Sequence, residues 1–286
     1  MKFGYINMWA GFNCRVDSIS IFEKYLKSVF GNLERVDPLN EESDIVISSV
    51  FNAKRPIGNP IVIKYSGEPY LHNKRNTIWW NFLRSDYTIS FFPNSKKNLY
   101  FPIYLLYEDV LDNIINREKI NNPYDRNFCS SVISHTSFYT RKRERLNKIV
   151  NTYKNVDFGG KWMNNVGGPV EDKIDFIRKY RFNLCSENRN IDGYITEKIF
   201  EAYAANTVPI YFGGGKLLDK YINTEAIIDC NNLTKSEIIN AVKKVDQDKE
   251  LYMHKYNNPL LINNELFEDF YKKLELFFKK IANNMG

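Results

Sequence analysis

The sequence predicts an α/β protein made of two similar units, and three observations carry that reading. Short apolar, β-branched runs alternate with helix-patterned segments, as parallel βαβ construction requires. A polar stretch containing a proline, "DNIINREKINNPYDRN" at 112–127, interrupts the series and reads as a linker. The 286 residues suffice for one large domain or two of ordinary size.

Each element follows from its local pattern. "KFGYINM" reads as the first strand, and "SISIFEKYLKSVFG" as a helix that Gly31 stops. "DIVISSVF" and "IVIKYSG" are short β-branched runs of the kind buried on both faces of a parallel sheet. "DYTISFF" adds a further strand. After the linker come strand "FCSSVIS", helix "TRKRERLNKIVNTY", strand "VDF", the glycine-rich "GGKWMNNVGGP", helix "EDKIDFIRKY" and strand "RFNLCSE". Helix "ITEKIFEAYAA" and strands "TVPIYFG" and "EAIID" complete the second unit. The terminal "NELFEDFYKKLELFFKKIA" repeats Leu266, Phe270, Leu274, Phe277, Phe278 and Ile281 at helical spacing, which predicts a helix packed on the body. The predicted division is therefore 1–120, 121–262 and a C-terminal helix in 263–286. Ligands of such sheets sit beyond the carboxyl ends of the strands.

An apolar fraction of 43% supports a substantial core, and 15% aromatics suit a fold with clefts. The formal net charge of +6 is compatible with an anionic small ligand, but the charges are mostly interspersed, as on a solvated surface. Cys14, Cys129, Cys185 and Cys230 are far apart and form no CxxC pair, which argues against a zinc ribbon and for a reducing compartment. Cys129 and Cys185 lie in apolar runs and read as small core residues. His72, His135 and His254 match no zinc spacing. The start "MKFGYINMWAGFNCR" is too short in apolar residues for a signal peptide, and no run approaches the roughly 20 residues of a membrane span. The expectation is a soluble, cytoplasmic protein, at most peripheral at the inner face of a membrane.

The densest chemistry lies in "NLCSENRNIDGYITEKIFEAY", residues 183–203, where an apolar strand runs into Glu187, Asn188, Arg189, Asp192, Tyr194, Glu197 and Lys198. With a helix beginning at Ile195, residues Ile195, Ile199, Ala202 and Tyr203 form the buried face. Tyr194 and Lys198, four apart, then point the same way at the helix start. A helix N-terminus offers unpaired N–H groups and partial positive charge, so a lysine there completes a phosphate site. The bland alternative is a capped surface helix with ordinary ion pairs.

The segment "RFNLCSENRNIDGYITEKIFEAYAANTVPIYFGG" resembles the signature of the α-1,3-fucosyltransferases, glycosyltransferase family 10, without a gap over more than 30 residues. The likeness is to bacterial members above all, the Helicobacter type among them. It weakens outside this segment and is poorest in the N-terminal region. The resemblance implies the GT-B fold, in which two Rossmann-like domains face each other across a cleft. It implies inverting transfer of L-fucose from GDP-fucose to the 3-OH of GlcNAc in an N-acetyllactosamine-type glycan, with no metal required and no cofactor. Surface glycan or lipopolysaccharide synthesis would be the setting.

Site residues carry over by position. Lys198 matches the cation that offsets charge on departing GDP. In "SVISHTSFYTRKRERLNKIV", Arg141 matches the arginine that opens the first donor-domain helix; the assignment slips to Arg143 if the register shifts, and otherwise Arg143 and Arg145 read as surface charges. Asn188 and Tyr194 match nucleotide contacts, Glu197 a ribose contact, and Glu187 a residue orienting the turn or the fucose. In "IVIKYSGEPYLHN" a strand ends at Tyr65, Gly67 permits a turn and Glu68 precedes Pro69. By itself this reads as a surface turn; the resemblance implies that Glu68 is the general base. "WWNF" at 79–82 would wall that carboxylate or stack on galactose, or is core. "DQD" at Asp246–Asp248 falls in a charged helical region and reads as surface.

Two other readings compete. Another GT-B transferase would use a different nucleotide sugar. A non-catalytic basic binder of nucleic acid or glycan would fit the net charge, but the basic clusters are modest and no RNA-binding motif occurs, so no nucleic-acid partner is expected.

Overall fold

A computed structural model describes residues 1–9, 16–69, 85–106, 114, 117–137, 140–263 and 265–285. The chain divides into two units, Met1–Glu108 with Glu265–Gly286, and Asp109–Asn264. The sequence-predicted boundary at 120/121 thus falls a dozen residues late. Arg117 explains the difference: its guanidinium lies 3.7 Å from the Tyr203 ring centroid and donates to the Tyr203 and Tyr256 carbonyls, so the chain has already joined the second unit there. The C-terminal helix belongs to the first unit.

The first unit carries a parallel sheet of six strands: β1 (Lys2–Ile6), β2 (Glu34–Arg35), β3 (Ile45–Ser48), β4 (Ile61–Ser66), β5 (Tyr87–Ser90) and β6 (Asn98–Tyr100), in the order β2-β1-β3-β4-β5-β6. Every residue of β3 is buried, which is why its sequence is a continuous apolar run and not an alternation. Helix α1 (Val16–Phe30) ends as expected at Gly31, whose φ of 71° is a left-handed cap and whose N–H returns to the Lys27 carbonyl. The two-residue β2 and the three-residue β6 carry no readable pattern and were not foreseen.

In the second unit the sheet is again parallel. Its strands are β7 (Asn127–Ser131), β8 (Val156–Phe158), β9 (Tyr180–Leu184), β10 (Val208–Tyr211) and β11 (Ile228–Asp229), in the order β11-β10-β9-β7-β8. The helices are α2 (Arg141–Tyr153), α3 (Lys173–Ile177), α4 (Glu197–Ala204), α5 (Leu218–Tyr221), α6 (Lys235–Gln247) and α7 (Lys249–Asn257). Phe182, Val208, Ile210 and Val242 are fully buried in the core that covers this sheet. Cys129, Cys185 and Cys230 are free and buried, as core residues; Cys14 lies outside the described residues.

Helix α8 (Leu266–Asn283) returns to the first unit and buries Phe267, Phe270, Leu274, Phe277, Phe278 and Ile281. The stripe is the predicted one except that Phe267 replaces Leu266, which is half-buried. Tyr271 stacks on Tyr25 of α1 with centroids 5.9 Å apart and donates to the Leu105 carbonyl. Among the described residues no helix is long and apolar enough to cross a membrane.

Asp246 corrects the surface reading of "DQD". It is buried, 2.5 Å from Nη2 of buried Arg181, and it accepts from the Tyr153 hydroxyl at 2.9 Å. Asp248 caps α7 through the Leu251 N–H. Both carboxylates have structural work.

Candidate functional site

Strand β9 ends at Leu184, but its pairing continues: the Cys185 N–H bonds the Ile210 carbonyl and the Glu187 N–H bonds the Phe212 carbonyl at 2.7 Å. Glu187 is thereby carried into the interior and is fully buried. A buried carboxylate needs donors, and four groups supply them. Oε1 accepts from the Thr196 N–H at 2.7 Å, the Thr196 hydroxyl at 3.0 Å and the Tyr211 hydroxyl at 3.1 Å; Oε2 accepts from Lys198 Nζ at 3.1 Å. Of the two roles left open for Glu187, its contacts are those of a group that orients the turn.

Helix α4 starts at Glu197 with Thr196 as its cap, not at Ile195. Thr196 is extended there because its N–H and hydroxyl both point back at Glu187. Tyr194 therefore lies outside the helix and is buried at 2% exposure, so helical periodicity does not set its position relative to Lys198. Lys198 donates to Glu187 and, at 2.8 Å, to Thr196 Oγ1; Glu197 Oε1 stands 3.7 Å away. An ammonium has three donors, and two are engaged by these bonds.

The electrostatics are those of a partly buried triad. Burial works to lower the Lys198 pKa, but Glu187 and Glu197 outweigh it and hold the ammonium well above the ordinary lysine value. Burial works to raise the Glu197 pKa, but Lys198 and Lys173 outweigh it and leave that carboxyl below its ordinary value. Lys198 and Glu197 are therefore both charged at neutral pH.

Arg143 is the cation that reaches this junction from the neighbouring element. It is 7% exposed, its Nη1 donates to Asn188 Oδ1 at 2.6 Å, and its Nη2 donates to the His135 carbonyl. Burial lowers its pKa, opposed by Glu187, yet a guanidinium remains charged throughout the neutral range. Arg141 is exposed on the first turn of α2 and lines a separate hollow of about 400 Å³ with Arg145, Lys148 and Lys235. The reading of Arg143 as a surface charge is thus corrected. The signal was in the sequence: Arg143 lies three and seven residues before Leu146 and Val150, on the buried stripe of α2, and Arg141 does not.

Glycines shape the loop around the acid. Gly213 has φ of 154°, and a Cβ there would collide with Cγ of Glu187. The turn that follows is tied to the loop after β9: the Gly215 N–H bonds Asn190 Oδ1 at 2.7 Å and the Lys216 N–H bonds Asp192 Oδ1 at 2.8 Å. The "GGKWMNNVGGP" stretch is held by its own asparagines, Asn164 bonding the Gly160 and Gly168 carbonyls and Asn165 the Val156 carbonyl.

Glu68 belongs to the first unit, two residues past the end of β4, and is partly buried. Gly67 is required before it because a Cβ would come within 2.6 Å of Ile103. "WWNF" and His72 lie outside the described residues.

Two parallel α/β units of this topology, with a charged knot at the carboxyl end of a central strand, have the architecture of the GT-B fold. Residues 124–258 match the family model for glycosyltransferase family 10 (fucosyltransferase), C-terminal region. The matched residues all lie in the second unit. The alpha-(1,3)-fucosyltransferase of Helicobacter pylori is 33% identical over 177 residues, which are 60% of this chain and 36% of that one. Alpha-(1,3)-fucosyltransferase B of Drosophila melanogaster is 28% identical over 109 residues, 36% of this chain and 24% of that one. The chain therefore matches about a third or less of the length of these relatives. A crystal structure of an alpha1,3-fucosyltransferase with GDP-fucose superposes with a TM-score of 0.73 over 96% of this chain and 90% of that one, at 22% identity, and shares the fold.

Proposed function

We propose that this protein transfers L-fucose from GDP-fucose, by a single inverting displacement, to the 3-OH of GlcNAc in an N-acetyllactosamine-type glycan. The observation that carries the proposal is the anchoring of two cations on consecutive residues at the end of β9: Arg143 on Asn188, and Lys198 on Glu187. Fixed cations in a partly buried site are suited to the charge that develops on a leaving diphosphate. In this reading Arg143, in place of Arg141, and Lys198 face the diphosphate, and Glu187 positions Lys198. Asn188, Tyr194 and Glu197 serve the nucleotide. Glu68 takes the proton of the acceptor hydroxyl as its oxygen bonds to the anomeric carbon and the bond from that carbon to the GDP oxygen breaks. The cations supply the charge that a metal supplies elsewhere, so the reading expects turnover in EDTA. The relatives above support the donor and the linkage. A cytoplasmic location and a role in lipopolysaccharide synthesis belong to the same proposal.

The test is product analysis by mass spectrometry after incubation with GDP-fucose, N-acetyllactosamine and EDTA. Fucosylated product supports the reading. Absence of both product and saturable GDP binding overturns it.

A further inference from the structure

Just past β10 the chain carries three glycines in a row, Gly213, Gly214 and Gly215, each at positive φ. A glycine-rich turn at the carboxyl end of a parallel strand commonly cradles phosphate with its N–H groups. Here those groups are already engaged by the protein. Gly213 donates to Asn231 Oδ1 at 3.1 Å, Gly214 to the Tyr194 carbonyl at 3.2 Å, Gly215 to Asn190 Oδ1 at 2.7 Å and Lys216 to Asp192 Oδ1 at 2.8 Å. The turn is therefore a scaffold and not an anion cradle.

The first of these bonds shows what is held. Strands β10 and β11 pair in parallel, with Ile210 opposite Ile228 and Tyr211 opposite Asp229. The Cys230 N–H carries the ladder one step further, to the Tyr211 carbonyl at 2.8 Å. In the same register Gly213 falls opposite Asn231, and there the asparagine side chain takes over from the backbone. Its Oδ1 accepts from the Gly213 N–H and its Nδ2 donates to the Gly213 carbonyl at 2.8 Å. A carboxamide presents a donor and an acceptor side by side, as a peptide group does. The amide is itself aimed, because the Asn231 N–H is held by Asp229 Oδ1 at 2.9 Å.

Gly213 lies against Glu187. A Cβ on it would meet Cβ and Cγ of Glu187 and the Tyr211 hydroxyl that donates to the same carboxylate. Glu187 in turn accepts from Lys198 Nζ at 3.1 Å. Contacts thus run from Asn231 through Gly213 and Glu187 to Lys198, all within the second unit. We propose that Asn231 is a positioning residue of the donor site, which sets the Lys198 ammonium by holding Gly213 against the Glu187 side chain. The inference rests on the reading of Lys198 as a contact of the diphosphate. Small displacements of a positioned group are costly to the contact it makes.

The experiment is a double-mutant cycle on the full chain, with calorimetric titration of GDP into wild type, Asn231→Ala, Lys198→Met and the double variant. Asn231→Ala is expected to weaken GDP binding by about five- to ten-fold, a part of what one charge-assisted hydrogen bond supplies. In the Lys198→Met background the same substitution is expected to cost less than about two-fold, since residues that act through one another are not additive. A merely structural asparagine would give the same loss in both backgrounds. Where Asn231→Ala does not fold, Asn231→Gln, which keeps an amide on a longer stem, takes its place in the cycle. Unchanged affinity on substitution of Asn231, or a loss as large without Lys198 as with it, would overturn the proposal while leaving the donor reading intact. Absence of saturable GDP binding by the wild type would overturn both.

Discussion

Arg143 and Asn188 lie 45 positions apart, yet Nη1 of the arginine reaches Oδ1 of the asparagine at 2.6 Å. The bond joins the first helix of the second unit to the loop after its central strand. Its neighbour in sequence, Glu187, holds Lys198 in the same way. The two cations of the donor reading are therefore set by adjacent residues of one backbone stretch, and a shift in either would move both.

Arg143→Ala is expected to weaken GDP binding by about 10- to 100-fold, the loss of one or two charged hydrogen bonds at roughly 1.5–3 kcal/mol. Arg141→Ala, at an exposed position, is expected to change it by less than about three-fold. Titration calorimetry of both variants with GDP checks the order. The reverse order would return the donor role to Arg141.

Glu187→Gln removes the buried counter-charge of Lys198 and leaves an amide facing Thr196 and Tyr211. Breaking a buried pair from one side costs about 3–5 kcal/mol, so a large fall in the urea midpoint is expected. Lys198→Met is expected to cost less, because Thr196 and Tyr211 still donate to the carboxylate. Equilibrium unfolding of the two variants measures the difference.

The triad also fixes a pH dependence. Glu197 has a folded pKa below its ordinary value of 4.5, so its contribution to stability is full above about pH 4.5 and is lost as pH falls through the folded value. Lys198 has a folded pKa well above 10.5, so its contribution is full below 10.5 and is lost only as pH rises through the folded value. Between these limits the pair contributes no slope. Glu197→Gln should therefore flatten the acid limb of a stability–pH curve and leave the neutral region level, which thermal melts from pH 3 to 8 would reveal.

Gly213→Ala is expected to destabilise the second unit by about 1–3 kcal/mol, the scale of overpacking, because φ of 154° and the contact with Glu187 both exclude a side chain. Thermal unfolding reads the cost. Gly167→Ala, which meets no neighbour within 4 Å, is the control and bears only its own backbone penalty at φ of 88°.

Periodicity made much of this legible. The continuous runs of β3 and β4 announced buried parallel strands, and the α8 stripe announced a packed helix, because burial on one or two faces writes itself into composition. Elements of two or three residues, β2 and β6, are too short to carry a period. The start of α4 was misplaced by two residues because the residue that sets it, Glu187, is nine positions away from the Thr196 it binds. The same kind of long-range bond hid the work of Arg143: a charged residue on an apolar stripe reads as an exception until its partner at 188 is seen. Asp246 was read as exposed for the same reason, since Arg181 lies 65 positions off.

The most direct test of the central claim compares wild type and Glu68→Gln for fucose transfer to N-acetyllactosamine in EDTA, with GDP binding measured on both. The account predicts transfer by the wild type and a loss of about 10²- to 10⁴-fold in the variant, the worth of a general base, with GDP affinity unchanged. Transfer undiminished in Glu68→Gln would contradict the assignment of the base. No transfer and no GDP binding by the wild type would contradict the account as a whole.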